Sequence, residues 1–392
     1  MDSPTVPIQG SCDEQFAAVR AEFERNFSER GDVGASVCAY VDDRQVVDLW
    51  GGYADDSKSR PWRSDTLACV ASTGKGMAAL CLLRLVDRGF IDVDAPVVRY
   101  WPEFGTVGKS RIPVRWLLSH RAGLPAIRRD MTPESMYAWH PFTEVLAQEA
   151  PWWDPGTRHG YHALTFGFLV GEIVRRVAGT TIGEYLRSEI AAPLGADFFI
   201  GVPASEDARA ARMFTEPPPP AGEISMYQTL LSDPASMAAR AFFNPPRPPQ
   251  GMNTREWRAA EIPASNGHAT ARGIARIYSE LALDAAFDAR RLIGGSTLEQ
   301  AVQENSYGPD AVLPLVSRYG LGFWLPTPDT SYAQRPRAFG HPGRGGSVGF
   351  ADPEARVGFG YVPNQYQGST PSAPDLRARA LIDALYAALQ RR

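Results

Sequence analysis

Ser72 and Lys75 stand three residues apart in Ala71-Ser72-Thr73-Gly74-Lys75-Gly76-Met77, an S-x-x-K spacing that pairs a hydroxyl nucleophile with an amine base. If a helix begins here, positions i and i+3 share a face and the two groups are neighbours. The unpaired N–H groups and positive dipole end of a helix N-terminus would hold an oxyanion and disfavour a proton on the lysine. Together these make the chemistry of acyl transfer through a serine ester. An ordinary helix start, with Ser72 as N-cap and Lys75 in water, uses the same residues. The flanks argue against it, because 67–70 and 77–85 are apolar and a lysine among apolar neighbours loses pKa by desolvation. Lys58, Lys75 and Lys109 are the lysines of the chain, and a serine three residues ahead of one of them arises by chance often enough that other residues must support the reading.

The pair needs a helix, and 72–88 supplies one, with Met77, Leu80, Cys81 and Leu85 as its apolar face and Gly89 as its stop. Further on, Pro151-Trp152-Trp153-Asp154-Pro155-Gly156 leads to Gly160-Tyr161-His162-Ala163. A helix-period pattern then runs from Leu164 through Phe168, Ile173 and Val177 to Gly179. Tyr161 is therefore predicted on a loop just before a helix, where its phenol can enter a cleft. Near the C-terminal end, Gly340-His341-Pro342-Gly343-Arg344-Gly345-Gly346 precedes apolar runs at 347–351 and 357–362, separated by Asp352-Pro353. These runs are predicted as adjacent antiparallel strands.

With these elements in place the chain resembles the family of class C serine β-lactamases, DD-peptidases and family VIII carboxylesterases. Its three elements are S-x-x-K, a tyrosine loop and a Lys/His/Trp-x-Gly strand, matched by Ser72/Lys75, Tyr161 and His341-Pro342-Gly343. The stretches 97–104, 117–125 and 266–270 resemble further family signatures in the same order, so the similarity spans roughly 33–362. It implies an acyl-enzyme on Ser72, with Lys75 taking the proton directly or through Tyr161 and with no cofactor. It also implies an oxyanion hole from the backbone N–H groups of Ser72 and Arg344, with His341 and Gly343 on the strand lining the substrate site. Two departures shift the expected substrate. Tyr161-His162-Ala163 lacks the asparagine that β-lactamases use to hold a substrate amide, and no lysine follows Lys109. A β-lactam carboxylate would lack its usual cation, so a carboxylic ester is the expected small-molecule substrate. Arg344 keeps β-lactamase or DD-peptidase chemistry open, acyl transfer to another alcohol would use the same intermediate, and a non-catalytic binding protein is a further alternative.

Gly345-Gly346-Ser347-Val348-Gly349 also spells G-x-S-x-G, the nucleophile elbow of another esterase fold. That elbow needs a helix after the serine and a later histidine. A turn and a strand follow Ser347, and no histidine lies beyond His341, so Ser347 reads as a strand residue near the site floor. His159 and His162 flank Tyr161, but Asp154 is the acidic residue near them in sequence, too few ligands for a metal. His120 and His268 read as structural. Tyr137, Trp139, His140, Phe142, Trp152 and Trp153 concentrate aromatic surface before Tyr161. Trp152 and Trp153 are the candidate acyl-pocket wall, with ordinary helical core as the alternative for the group. Proline clusters at 216–220 and 244–249 bracket an insertion that resists regular structure; it either rims the site or is a surface loop.

The frame agrees with a soluble enzyme. A chain of 392 residues with 44% hydrophobic content can bury a large core, and a net charge of -4 gives no reason to expect a nucleic-acid partner. No apolar stretch has the length of a membrane span. Residues 1–10 lack the basic and apolar regions of a secretion signal, so a cytoplasmic location is expected. Cys12, Cys38, Cys69 and Cys81 lack metal-type spacing and read as buried apolar residues. The expected fold class is α+β, an antiparallel sheet flanked by helices with an inserted, mainly helical domain. A helix at 12–30, strands at 35–41 and 45–50, strands from about 321 onward and a closing helix near 374–391 would build a discontinuous sheet domain, 1–93 and 270–392. Residues 94–269 would form the helical domain with its proline-rich insertion, and the active site would lie between the two. The sequence leaves the oligomeric state open.

Overall fold

The computed structural model describes residues 6–390 except 220, 248–250, 284–291, 329, 331, 333–334 and 368–374. The strands β1 (Ile8–Cys12), β2 (Gly34–Val41) and β3 (Arg44–Gly52) open the chain, and β4 (Ala68–Ala71) leads into the Ser72 turn. β5 (Phe198–Phe199) and β6 (Gly267–Ala269) lie in the middle, β7 (Ser306–Pro309) and β8 (Val316–Tyr319) form a hairpin, and β9 (Phe339–Pro342), β10 (Val348–Asp352) and β11 (Val357–Pro363) close the set. The main sheet has the order β1-β3-β2-β11-β10-β9, antiparallel throughout. First and last strands thus share one sheet through the β2–β11 pairing, Val41 opposite Val357. The predicted Asp42-Asp43 turn is a tight hairpin with φ of 53° and 64°, a conformation aspartate tolerates.

Each face of this sheet is covered by helices. Ala17–Ser28 and Arg377–Leu389 seal one face, burying Val19, Phe23, Leu381 and Leu385 with Val37, Leu49 and Phe359. Ala271–Ala282 lies against the other, close enough that a Cβ at Gly358 or Gly360 would come within 2.3 or 2.4 Å of its backbone. A larger core cluster continues from that helix through Gly74–Asp87 into Thr165–Ala178, joining Tyr278, Leu80 and Phe168. The small sheet, order β4-β6-β5, ties the Ser72 turn to the middle of the chain, with Cys69 opposite His268. No helix among the described residues is long and apolar enough to cross a membrane.

Several elements differ from the sequence expectation for local reasons. The helix expected from Cys12 starts only at Ala17, because Ile8–Cys12 is an edge strand whose polar run carries no alternation. The β7–β8 hairpin had no apolar signal, and the strands expected from about 321 begin at Phe339, with Trp324 contributing only isolated bridges to Tyr319 and Gly340. The closing helix is Arg377–Leu389; Pro374 and Arg391 lie outside the described residues, as do residues 1–5 and Pro220, Pro248 and Pro249 of the proline clusters.

Candidate active site

β4 ends at Ala71 with φ of 45°, a left-handed conformation that costs a non-glycine residue energy and marks a forced turn. Ser72 and Thr73 follow in that turn, and the helix Gly74–Asp87 begins two residues later than expected, with Thr73 rather than Ser72 at its N-cap. The i to i+3 relation survives because the Lys75 amide donates to the Ser72 carbonyl at 2.9 Å. This helix is also not amphipathic in place: every residue from Gly74 to Leu83 is buried, as is Leu85. Gly89, with φ of 76°, closes it as predicted.

Burial on all sides takes Lys75 out of water. Its Nζ donates to Ser72 Oγ at 3.1 Å, to the Ala163 carbonyl at 2.8 Å and to the Ala264 carbonyl at 2.9 Å. Desolvation, and then the charge of Arg247, hold its pKa well below the ordinary lysine value. The geometry serves both protonation states. An ammonium donates three hydrogen bonds here, whereas a neutral amine donates to the two carbonyls and turns its lone pair on the Ser72 hydroxyl. Each carbonyl is itself fixed. Ala163 follows Tyr161 by two residues, and the loop bearing Ala264 is closed by Asn266, which accepts from the Ile262 amide at 2.9 Å and donates to the Trp257 and Ala260 carbonyls.

Tyr161 lies on the predicted loop ahead of the helix Thr165–Ala178 and is 4% exposed. Lys75 Nζ stands 4.7 Å from its ring centroid. His120, Trp324 and His341 surround the ring at centroid distances of 5.1, 5.9 and 6.1 Å. Its backbone is held by a residue sequence reasoning missed. Asp310 Oδ1 accepts from the amides of Tyr161, Val312 and Leu313, each at 2.9 Å, while Oδ2 accepts from the Ser317 hydroxyl at 2.7 Å. His159 Nε2 in turn meets Ser317 Oγ at 2.9 Å. His162 donates from Nδ1 to the Gly160 carbonyl and accepts the Leu124 amide at Nε2, and burial pushes its pKa down to about 4. The flanking histidines therefore brace the loop.

His341 sits on β9 and is buried, with Nδ1 against the Pro342 carbonyl at 2.6 Å and Nε2 without a partner among the described residues. Desolvation, then the nearby Lys75 charge, push its pKa down to about 3, so it is a neutral ring offering a lone pair where a lysine would offer a cation. Gly343 is required by space, since a Cβ there would come 2.2 Å from Ser347 Oγ and 2.3 Å from the Val70 carbonyl. Ser347 Oγ donates to that Val70 carbonyl at 2.8 Å and meets Thr73 Oγ1 at 3.1 Å. It pins the strand loop to the Ser72 turn, and a strand, Val348–Asp352, follows it where an elbow needs a helix. The same loop is anchored by buried Arg377, which donates to the Gly345 carbonyl at 2.7 Å.

A cavity of about 30 Å³ stands over Ser72, walled by Met136, Leu164, Phe242, Pro245 and Trp257, with Arg247 and Arg344 as its charged residues. Arg344 Nε donates to Glu216 Oε1 at 2.7 Å. The described part of the insertion thus reaches the site, through Phe242, Pro245 and Arg247, whose positions no local pattern revealed. The candidate wall residues stand elsewhere. Trp152 donates to the Ala126 carbonyl at 2.9 Å beneath the Arg128 guanidinium, and Trp153 packs edge-on to His162 at 6.1 Å, behind the Tyr161 loop. Trp139 and Phe142 belong to the helical core, Phe142 stacked on Phe168 at 3.9 Å. Among the described residues no group of three or more His, Cys, Asp or Glu side chains could hold a metal ion.

Comparison with known proteins places this geometry. A model of the Beta-lactamase family matches residues 23–384. Esterase/beta-lactamase LipL of Mycobacterium tuberculosis is 34% identical over 367 residues, covering 91% of this chain and 83% of that protein. Among solved structures, a family VIII carboxylesterase superposes with a TM-score of 0.87 at 40% identity, covering 97% of this chain and all of the other. A penicillin-binding protein homologue from Caulobacter crescentus matches with a TM-score of 0.87, 40% identity and the same coverage, 97% of this chain. The α+β fold expected from the sequence is the fold of these neighbours, and the chain belongs to the Beta-lactamase family.

Proposed function

We propose that the protein is a serine carboxylesterase that works through an acyl-enzyme on Ser72. The observation that carries this is the contact of Lys75 Nζ with Ser72 Oγ at 3.1 Å, with the amine fully buried and two backbone carbonyls occupying its other hydrogen-bonding directions. The identity to a family VIII carboxylesterase and to LipL supports it. In this mechanism Lys75 removes the Ser72 proton as Oγ bonds to the ester carbonyl carbon. The Ser72 and Arg344 amides receive the oxyanion, each such donor contributing about 3–4 kcal/mol in other serine hydrolases. Tyr161 passes the proton to the departing alcohol, and the same groups then activate the water that releases the acid. His341 and Gly343 line the substrate strand, and the site lies between the sheet part, 1–93 and 270–392, and the helical part, 94–269. The free thiols Cys12, Cys38, Cys69 and Cys81 fit a reducing cytoplasm.

Neutral His341, in place of a lysine, favours esters over β-lactams. A series of 4-nitrophenyl esters from acetyl to dodecanoyl, with intact-mass detection of the acylated chain and a chromogenic cephalosporin alongside, tests the reading. Turnover of short or medium esters well above the cephalosporin is the expected result. The reverse order would make the protein a β-lactamase, and no turnover of either would leave a binding protein.

A further inference from the structure

Among the described residues, Ala71 and His120 are the buried non-glycine residues whose backbone is left-handed. Ala71 turns the chain into Ser72. His120, with φ of 60°, follows Ser119, the C-cap of the helix Val114–Leu118, a place that glycine or asparagine ordinarily takes. The turn is fixed from outside: the Leu118 carbonyl accepts from the Gly322 amide and the Ser119 carbonyl from the Ser306 hydroxyl, each at 2.9 Å. Strain of this kind persists where the surroundings over-determine it, and it clusters at functional sites.

The contacts of His120 converge on Tyr161. Its carbonyl accepts from the Gly160 amide at 3.1 Å, and its Nδ1 accepts from the His162 amide at 3.1 Å. One residue thus grips the backbone on both sides of Tyr161, while Asp310 takes the Tyr161 amide itself. The ring is held in turn, with centroid distances of 4.5 Å to Tyr319 and 5.1 Å to both Phe166 and Tyr161. Accepting at Nδ1 puts the proton of the neutral ring on Nε2. A second proton would set N–H against N–H. Burial, and then the neighbouring His162, Lys75, His341 and His159, oppose it by holding the pKa of His120 well below the ordinary histidine value.

Resting on the esterase reading above, we propose that His120 is the positioning residue of the proton relay, its carbonyl and Nδ1 together holding the Tyr161 phenol where it meets the departing alcohol. The left-handed turn is what lets one residue present both acceptors to the same loop.

The test compares kcat/KM for ethyl butyrate and 4-nitrophenyl butyrate, which share an acyl group. Ethoxide must be protonated as it leaves, whereas 4-nitrophenoxide departs unaided. His120→Gly keeps the left-handed turn and removes the acceptor. It should lower kcat/KM for the ethyl ester by about 10²-fold, the cost of misplacing a reacting group by about 1 Å, and for the nitrophenyl ester by less than about fivefold. Tyr161→Phe should show the same selectivity, and adding His120→Gly to it should move the ratio of the two esters no further. His120→Asn tolerates the turn and offers an oxygen to the His162 amide, so it should keep both esters within about fivefold of wild type.

If the glycine variant fails to fold, nitrogen NMR of the wild-type histidines, assigned by difference from His120→Asn, decides the matter. A neutral Nε2–H ring at His120 is expected; a proton on Nδ1 overturns the proposal. Equal losses on the two esters in His120→Gly, or an asparagine variant as selective in its loss as the glycine one, overturn this proposal alone. Equal losses in Tyr161→Phe overturn the phenol's part in the relay and this proposal with it, and turnover of neither ester by the wild-type protein overturns the esterase reading as well.

Discussion

Lys75 and Lys109 are both buried and both donate to backbone carbonyls, yet their surroundings suit them to different work. Lys109 gives its hydrogen bonds to the Ala147 and Glu149 carbonyls at the end of the helix Trp139–Gln148, where the dipole favours a cation. Lys75 sits at the start of its helix, where the dipole opposes a cation, and one of its partners is a hydroxyl. A base must shed its proton, whereas a charge clamp must keep it. Lys75→Arg keeps the charge but stays protonated at all usable pH, so it should be about as damaging as Lys75→Ala, with kcat falling and KM little moved. Retained activity in the arginine variant would show that the lysine only polarises. The sign of the pH profile follows from the lowered lysine pKa. Activity is present above that value, where the amine is free, and is lost as pH falls through it, on a limb below the ordinary 10.5. Arg247→Gln should move the limb upward, because it removes a charge that disfavours the proton. Tyr161→Phe should lower kcat by about 10²- to 10⁴-fold with little loss of thermal stability, and unaltered turnover would make the phenol structural.

At the scale of elements, the reading from sequence succeeded where chemistry and local pattern coincide. The S-x-x-K turn, the loop bearing Tyr161 and the strand pair β10–β11 each announce themselves within a few residues. Asp310 did not, because its meaning lies in a contact across 149 residues, with the Tyr161 amide. The same holds for the Ala264 carbonyl beside Lys75, 189 residues away, since a backbone acceptor has no signature of its own. Phe242 and Arg247 were hidden in a proline-bounded segment whose sequence says only that it is irregular. Trp152 and Trp153 lay close to Tyr161 in sequence but pack behind its loop. Asp310 makes a direct check on this scale. Asp310→Asn weakens an acceptor of three amides, so thermal unfolding should show a loss of about 1–3 kcal/mol. Turnover should fall more in kcat than in KM, since the loop positions a proton carrier. An effect on stability with kinetics unchanged would make Asp310 a fold residue only.

On the scale of the whole molecule, both ends of the chain converge on the site. β2 and β11 join in one sheet, and the C-terminal helix sends Arg377 beneath the loop that carries Arg344. Arg377 is wholly buried and pairs with buried Asp32 at 2.6 Å and with Asp375 at 2.8 Å. Arg377→Met would strand those carboxylates, so chemical denaturation should show a loss of about 3–5 kcal/mol, partly recovered by adding Asp32→Asn. No recovery would mean that packing, and not charge, holds this end of the sheet. The central claim is that all this architecture presents one activated hydroxyl. Treating the protein with a 4-nitrophenyl alkylphosphonate and mapping the adduct by peptide mass spectrometry tests it most directly. One phosphonyl group on Ser72, absent in Ser72→Ala and unaffected by metal chelators, is the expected result; a label on Ser347, or full inactivation with Ser72 unmodified, would contradict it.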